Sequence, residues 1–296
     1  MKVLITGCNG QLGNALIELL KNKRNSLGAI PENFNDCEII AIDIDDLDIS
    51  DREATINFIN TNKPNVIINC AAMTNVDGCE SNKDVAFSAN ADGPENLAIA
   101  AEQIGAKLIH VSTDYVFDGT ANTPYIESDH CSPNGVYGAS KLQGEINVKN
   151  NCSKYFIVRT SWLYGYIGKN FVKTMRWLGK TKGAIKVVND QRGNPTNADD
   201  LAYHLILLAD TEYYGIYHCT GNGECTWYDF ACKIIEYSKI NCTVSPCTSD
   251  EFPSPTKRPS FSSLRNLGLE NTVGDNMRQW EVALKEYIIN LDKMEE

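Results

Sequence analysis

Val3-Leu4-Ile5-Thr6-Gly7-Cys8-Asn9-Gly10-Gln11-Leu12-Gly13 is the stretch on which the fold turns. An apolar run leads straight into three glycines, and a helical pattern follows over residues 11–23. Each glycine has its own task. Gly7 permits a tight turn out of the strand, Gly10 lets backbone approach a phosphate, and Gly13 lets the helix pack on the sheet. The amides that open a helix lack intrahelical partners, so they suit a dinucleotide pyrophosphate. Asn9, Gln11 and Leu12 share this turn and are assigned to the cofactor with the glycines.

Outward from this turn, strand candidates at 3–6, 39–42, 66–69, 107–112 and 155–158 alternate with helical patterns at 11–23, 52–61, 84–104 and 140–148. Apolar, β-branched strands separated by helices indicate parallel pairing through right-handed crossovers. The expected fold class is α/β, a Rossmann-type doubly wound parallel sheet with a smaller, mostly C-terminal substrate-binding subdomain. Residues 1–160 are assigned to the dinucleotide domain, with a later return near 186–210, and 161–296 mainly to substrate binding. The polar segment 24–37, with Gly28 and Pro31, reads as an insertion before the second strand. Helices are expected at 170–178, 198–208, 227–237 and 276–291. Pro246, Pro253, Pro255 and Pro259 predict an extended loop over 245–260, of the kind that often carries ligand contacts.

A chain of 296 residues, 43% hydrophobic, can bury a substantial core. Its net charge of −11 argues against nucleic acid and anionic membrane surfaces as partners, and requires a local concentration of positive charge wherever phosphate binds. The eleven cysteines have no Cys-x-x-Cys or metal-ligand spacing, and the four histidines none either, so no metal site is expected from spacing. An odd thiol count, a start that runs directly into a strand, and no apolar run of membrane-spanning length predict a cytoplasmic protein.

Asp43 ends the second strand, where a carboxylate accepts hydrogen bonds from the adenosine ribose and favours NADH over NADPH. The alternative is a solvated acidic loop with Asp45, Asp46 and Asp48. Small residues after the third strand, Cys70, Ala71 and Ala72, would let a cofactor pass close by. Asn90 is read either as cofactor support or as an ordinary polar residue.

Tyr137 and Lys141 supply the chemistry. Four residues apart on a helix, they share a face. A free tyrosine has a pKa of about 10, and a neighbouring ammonium is expected to lower it, making Tyr137 a usable proton donor to a carbonyl. Ser112-Thr113 closes the fourth strand at the carboxyl end, where open α/β sheets bind ligands and a hydroxyl can stabilise developing charge. No Gly-x-Ser-x-Gly elbow or Cys/His nucleophile pattern is present, so acyl transfer has no support.

Longer blocks carry a resemblance that spans nearly the whole chain. They are Ala71-Ala72-Met73-Thr74-Asn75-Val76-Asp77, Ser112-Thr113-Asp114-Tyr115-Val116-Phe117-Asp118-Gly119, Tyr137-Gly138-Ala139-Ser140-Lys141, Arg159-Thr160-Ser161-Trp162, Asp190-Gln191-Arg192-Gly193-Asn194-Pro195-Thr196 and Arg258-Pro259. With the glycine turn, they make the chain similar to the extended short-chain dehydrogenase/reductases, and within them to the dTDP-4-dehydrorhamnose reductase family. The resemblance implies NADH- or NADPH-dependent reduction of a 4-keto nucleotide-diphosphate sugar in polysaccharide biosynthesis, with Thr113, Tyr137 and Lys141 catalytic. It implies cofactor contacts at Asp48, Ile49 and Thr74, and substrate contacts at Asp114, Tyr115, Trp162 and Arg258. An indole face suits a deoxysugar and a guanidinium fork suits a diphosphate. Mg2+ and a homodimer are associated with the family. Met73, Phe261 and Arg265 depart from its usual pattern. A reductase or epimerase of another activated sugar, and a non-catalytic regulatory subunit of the same family, stay open alternatives.

Overall fold

The computed structural model describes residues 1–252 and 256–295. A six-stranded parallel sheet forms its centre, built from β1 (Lys2–Thr6), β2 (Glu38–Ile42), β3 (Val66–Asn69), β4 (Lys107–Thr113), β5 (Tyr155–Thr160) and the edge strand Gly215–His218. The spatial order is Gly215–His218, β5, β4, β3, β1, β2. The order reverses at β1, which lies between β2 and β3. Crossovers therefore leave to opposite sides there, and a crevice opens at the carboxyl ends of β1 and β3.

Alternation along the strands divides the core in two. Val3, Ile5, Ile68, Ile109 and Val158 point to one face, where α1 (Gln11–Asn22) and the helix Ala198–Ala209 cover them. Leu4, Ile67, Leu108 and Ile157 point to the other face. There they meet α2 (Arg52–Asn62), α3 (Gly93–Ile104) and α4 (Val136–Asn151). A separate core of Tyr164, Val172, Phe230, Trp280, Leu284 and Tyr287 belongs to the second half of the chain. It is formed among the helices Phe171–Lys182, Trp227–Tyr237 and Trp280–Glu295.

Several elements differ from their sequence reading. The helix expected over 84–104 is broken into Lys83–Phe87, a π turn at Ser88–Asp92, and α3. Pro94, in the first turn of α3, has no amide to continue an α ladder, and the wider turn absorbs that loss. Helix α4 begins earlier than 140, so Tyr137 lies in its first turn. Its N-cap Gly135 offers no side chain, and Glu80 instead accepts from the Val136 amide at 2.8 Å. The edge strand Gly215–His218 is short and carried no pattern of its own.

The expected loop over 245–260 starts as a strand. Thr243–Cys247 pairs in parallel with Ala184–Val188, with Pro246 opposite Val187. Pro253 and Pro255 lie outside the described residues. Segment 24–37 forms a small hairpin, Arg24–Asn25 with Gly28–Ala29, and a short 3-10 turn, Glu32–Phe34. It plugs Ile30 and Phe34 into the α1 side of the core.

Candidate functional site

The glycine turn is built as its residue types demand. Gly7 sits at φ +64°, and a Cβ there would lie 2.7 Å from the Ala71 amide nitrogen of the adjacent β3 exit. A Cβ on Gly13 would lie 2.4 Å from the Gly7 carbonyl. Any side chain at either position would force backbone apart. Gly10 caps α1 without a side-chain hydrogen bond, and no acidic residue occupies the first turn. The amides of the first turn are thus left for an anion, and the cradle fits a dinucleotide pyrophosphate.

Asp43 accepts from the Asn9 amide at 2.9 Å through Oδ2 and from the Ile44 amide at 2.8 Å through Oδ1. It braces the glycine turn from the end of β2 while lining the cleft. Asp48 accepts from the Ser50 amide and hydroxyl, and Ile49 is buried against Gly93. Gln11 turns its side chain away from the sheet: its Oε1 accepts from the Gly165 amide at 2.8 Å and Asn170 Nδ2 at 3.0 Å. That pins the second half of the chain to the start of α1.

One cleft of about 840 Å³ runs from this turn to the Tyr137 helix. Gly7, Asn9, Gly10, Gln11, Leu12, Gly13, Asp43, Asp48, Ile49, Cys70, Ala71, Ala72 and Thr74 line one end. Thr113, Asp114, Tyr115, Tyr137, Lys141, Trp162 and Arg258 line the rest. Asn90 is the exception. It is fully buried, accepts from the Met73 amide at 2.8 Å and donates to the Met73 carbonyl and to Ser140 Oγ, each at 3.1 Å. Its structural work is to hold the Ala71–Thr74 wall against α4.

At the chemical end, Thr113 donates to Asp114 Oδ1 at 3.0 Å. Ser112 instead donates to Glu145 at 2.5 Å, behind the strand end, so Thr113 is the hydroxyl of that pair not bound to Glu145. Asp114 is 2% exposed, and its Oδ2 makes no well-formed hydrogen bond. Burial raises its carboxyl to about 6, with the nearby Ser262 and Thr113 hydroxyls opposing that only in part. Tyr137 packs edge-on against Tyr115, ring centroids 5.5 Å apart at 73°.

The electrostatics of the Tyr/Lys pair differ from expectation. Lys141 shares the Tyr137 face but reaches the strand, donating to the Val111 carbonyl at 2.6 Å. Burial lowers its ammonium to about 8, while Glu145 pulls upward. Burial of the Tyr137 hydroxyl raises it above the usual phenol range, with a hydrogen bond to Thr113 opposing. Spacing placed the two side chains on one face, but desolvation, which spacing does not express, dominates the phenol.

Trp162 adopts φ +48°, uncommon for a bulky residue, and stacks on Trp227 at 3.5 Å between centroids and 8° between planes. Gly193 makes room beneath it, since a Cβ there would lie 2.6 Å from the indole. Arg258 lies 3.6 Å from Asp77 and close to the Tyr115 hydroxyl. Trp227 and Lys169 also line the cleft and were missed from sequence. Trp227 opens a helix that the sequence pattern did predict, yet nothing local ties that helix to Trp162. Lys141, Lys169, Arg258 and the α1 terminus together provide the positive concentration that an anionic ligand needs in so acidic a chain.

Among the described residues, no group of three or more His, Cys, Asp and Glu is arranged to hold a metal, and no helix is long and apolar enough to cross a membrane. All eleven cysteines are free, and burial pushes the Cys70 thiol up to about 12.

The family profile described as "RmlD substrate binding domain" matches residues 1–293. A dTDP-4-dehydrorhamnose reductase of Aggregatibacter actinomycetemcomitans is 39% identical over 296 aligned residues, covering 96% of this chain and 97% of that one. The crystal structure of a dTDP-4-dehydrorhamnose reductase from Clostridium acetobutylicum is 50% identical with a TM-score of 0.93, covering 99% and 100% of the two chains. The enzyme from Bacillus anthracis, solved in complex with NADP, is 40% identical with a TM-score of 0.91, covering 98% and 99%. Matched from end to end by profile, sequence and structure, the chain belongs to the RmlD substrate-binding-domain family, that of the dTDP-4-dehydrorhamnose reductases.

Proposed function

We propose that the protein reduces the 4-keto group of dTDP-4-dehydro-β-L-rhamnose to give dTDP-L-rhamnose, consuming NAD(P)H. One observation carries this reading. Thr113, Tyr137 and Lys141 open on the same cleft whose other end is the glycine cradle at the start of α1. A coenzyme with its pyrophosphate held at that cradle would supply hydride to C4 of the sugar at the Tyr137 end. Tyr137 gives its proton to the carbonyl oxygen, and Thr113 hydrogen-bonds that oxygen as charge develops. Lys141 stands one turn below and steadies the tyrosinate left behind. Asp114, Tyr115 and Trp162 face the sugar, and Arg258 exchanges part of its contact with Asp77 for the diphosphate.

Residues 1–160 with the return near 186–210 serve the cofactor, and the rest of 161–296 mainly serves the sugar. Both coenzymes are accepted, with NADH favoured. Asp43 puts a carboxylate at the ribose end, and no arginine of the cleft lies beside it to hold a 2′-phosphate. The free thiols suit a reducing cytoplasm.

The test is oxidation of NADH and NADPH with dTDP-4-dehydro-L-rhamnose generated in situ, the product identified by chromatography. Stoichiometric dTDP-L-rhamnose is the expected result. Protein that binds a coenzyme yet gives no turnover with either one would overturn the reading.

A further inference from the structure

Behind the cleft lies a buried ion pair that the chemistry above does not use. Glu145 and Arg159 are each 3% exposed and joined by two bonds, Nε to Oε1 at 2.9 Å and an Nη to Oε2 at 2.7 Å. Oε1 also takes the Ser112 hydroxyl. Glu145 is therefore bonded to the residue before Thr113 on β4 and to a residue three before Trp162 on β5. It lies on α4 one turn beyond Lys141, which is one turn beyond Tyr137.

We propose that Glu145 is a positioning residue of the reductase site: its one carboxylate locks the Tyr137/Lys141 helix to both strand ends and stands as the counter-charge to Lys141. This rests on the function proposed above. A buried ion pair is weak evidence of stability, because desolvation offsets most of the attraction, so a role in geometry and charge accounts for it better. Among the described residues, Glu145 is the carboxylate whose charge favours the Lys141 ammonium. His110, from β4, is held well below its usual range by burial and is neutral. The Cys70 thiol, from the end of β3, is protonated at neutral pH, and Tyr137 is a neutral phenol. On the far side, Arg159 also meets the Cys131 sulfur at 3.2 Å, the Glu127 carbonyl at 3.4 Å and His218 at 3.5 Å. Glu145 thus balances one cation and supports a second.

The experiment titrates the Lys141 ammonium by NMR in protein carrying 13C at the lysine ε position, assigned by a Lys141→Met control, with no cofactor or substrate present. In Glu145→Gln the midpoint falls from about 8 by roughly one unit or more. The alkaline limb of kcat falls with it. Glu145→Gln/Arg159→Met, which does not strand the Arg159 guanidinium without its partner, shows a smaller fall in the same direction, because loss of that cation opposes loss of the carboxylate, and covers the case in which the single variant does not fold. Ser112→Ala keeps the carboxylate, so it lowers kcat without moving the midpoint. An unmoved midpoint in folded Glu145→Gln or in the double variant overturns the proposal. Because the titration needs no turnover, it can fail while the reductase reading stands, and the wild-type assay can fail while the titration succeeds.

Discussion

Tyr137→Phe removes one oxygen and little else, which makes its expected effect calculable. The ring keeps its edge-on contact with Tyr115 at 5.5 Å, and the helix backbone is untouched. What goes is the hydrogen bond to Thr113, a loss of about 1 kcal/mol or less to stability. For a chain of this size that is a fall of at most about 2 °C in Tm. Thr113 retains its bond to Asp114 Oδ1, so the strand end stays in place. The glycine cradle is at the other end of the cleft, and coenzyme affinity should change less than about threefold. Turnover should fall by about 10²–10⁴-fold, the range for losing a general acid, or roughly 3–5 kcal/mol of barrier. Burial keeps the wild-type phenol protonated at neutral pH, so the full acid form is available to lose. Steady-state coenzyme oxidation, coenzyme titration by fluorescence and a thermal melt measure the three quantities separately. Turnover within about fivefold of wild type, in protein that binds coenzyme normally, would refute Tyr137 as the proton donor.

Gly13→Ala sets a Cβ 2.4 Å from the Gly7 carbonyl. Overpacking of about 1–3 kcal/mol should lower Tm by several degrees and weaken both coenzymes at least about tenfold; unchanged binding would remove the cradle from the cofactor site. Asp43→Ala should weaken NADH more than NADPH in titrations. Equal losses would mean that Asp43 acts only by bracing the Asn9 amide. Asp114→Asn tests a raised carboxyl. The folded protein holds that proton to about 6, above the unfolded value of 3.8, so the group's stabilising contribution is full below pH 4 and lost as pH rises through 6. The variant cannot suffer that loss. Its melting temperature should gain on wild type between pH 4 and pH 7.5, by an amount worth up to roughly 3 kcal/mol, and a difference constant across that range would show Asp114 to be unshifted.

Much of the cofactor end was legible because its signals are local. The strand, the three glycines and the helix start lie within residues 2–22, and each glycine answers to a contact with its near neighbours or with the next strand. Parallel strands at 66–69 and 107–113 were legible for a similar reason, since burial on both faces leaves an apolar run. Tyr137 and Lys141 came from four-residue spacing, and the proposed substrate contacts from a family resemblance rather than from pattern.

By itself, then, the sequence determined the strand–glycine–helix unit, the sheet class and the face shared by Tyr137 and Lys141, because these depend on chain stereochemistry and periodic burial. Tertiary structure alone decided where Lys141 reaches, that Glu80 caps the Tyr137 helix across 56 positions of chain, that Trp227 stacks on Trp162, and that Glu145 meets Arg159 and Ser112. It also set Asn90, which the sequence left open between cofactor support and an ordinary polar role, as a clamp on Met73 in the wall of the cleft. These outcomes rest on desolvation and on contacts between distant segments. Neither quantity is written in the spacing of residues along one strand or one helix.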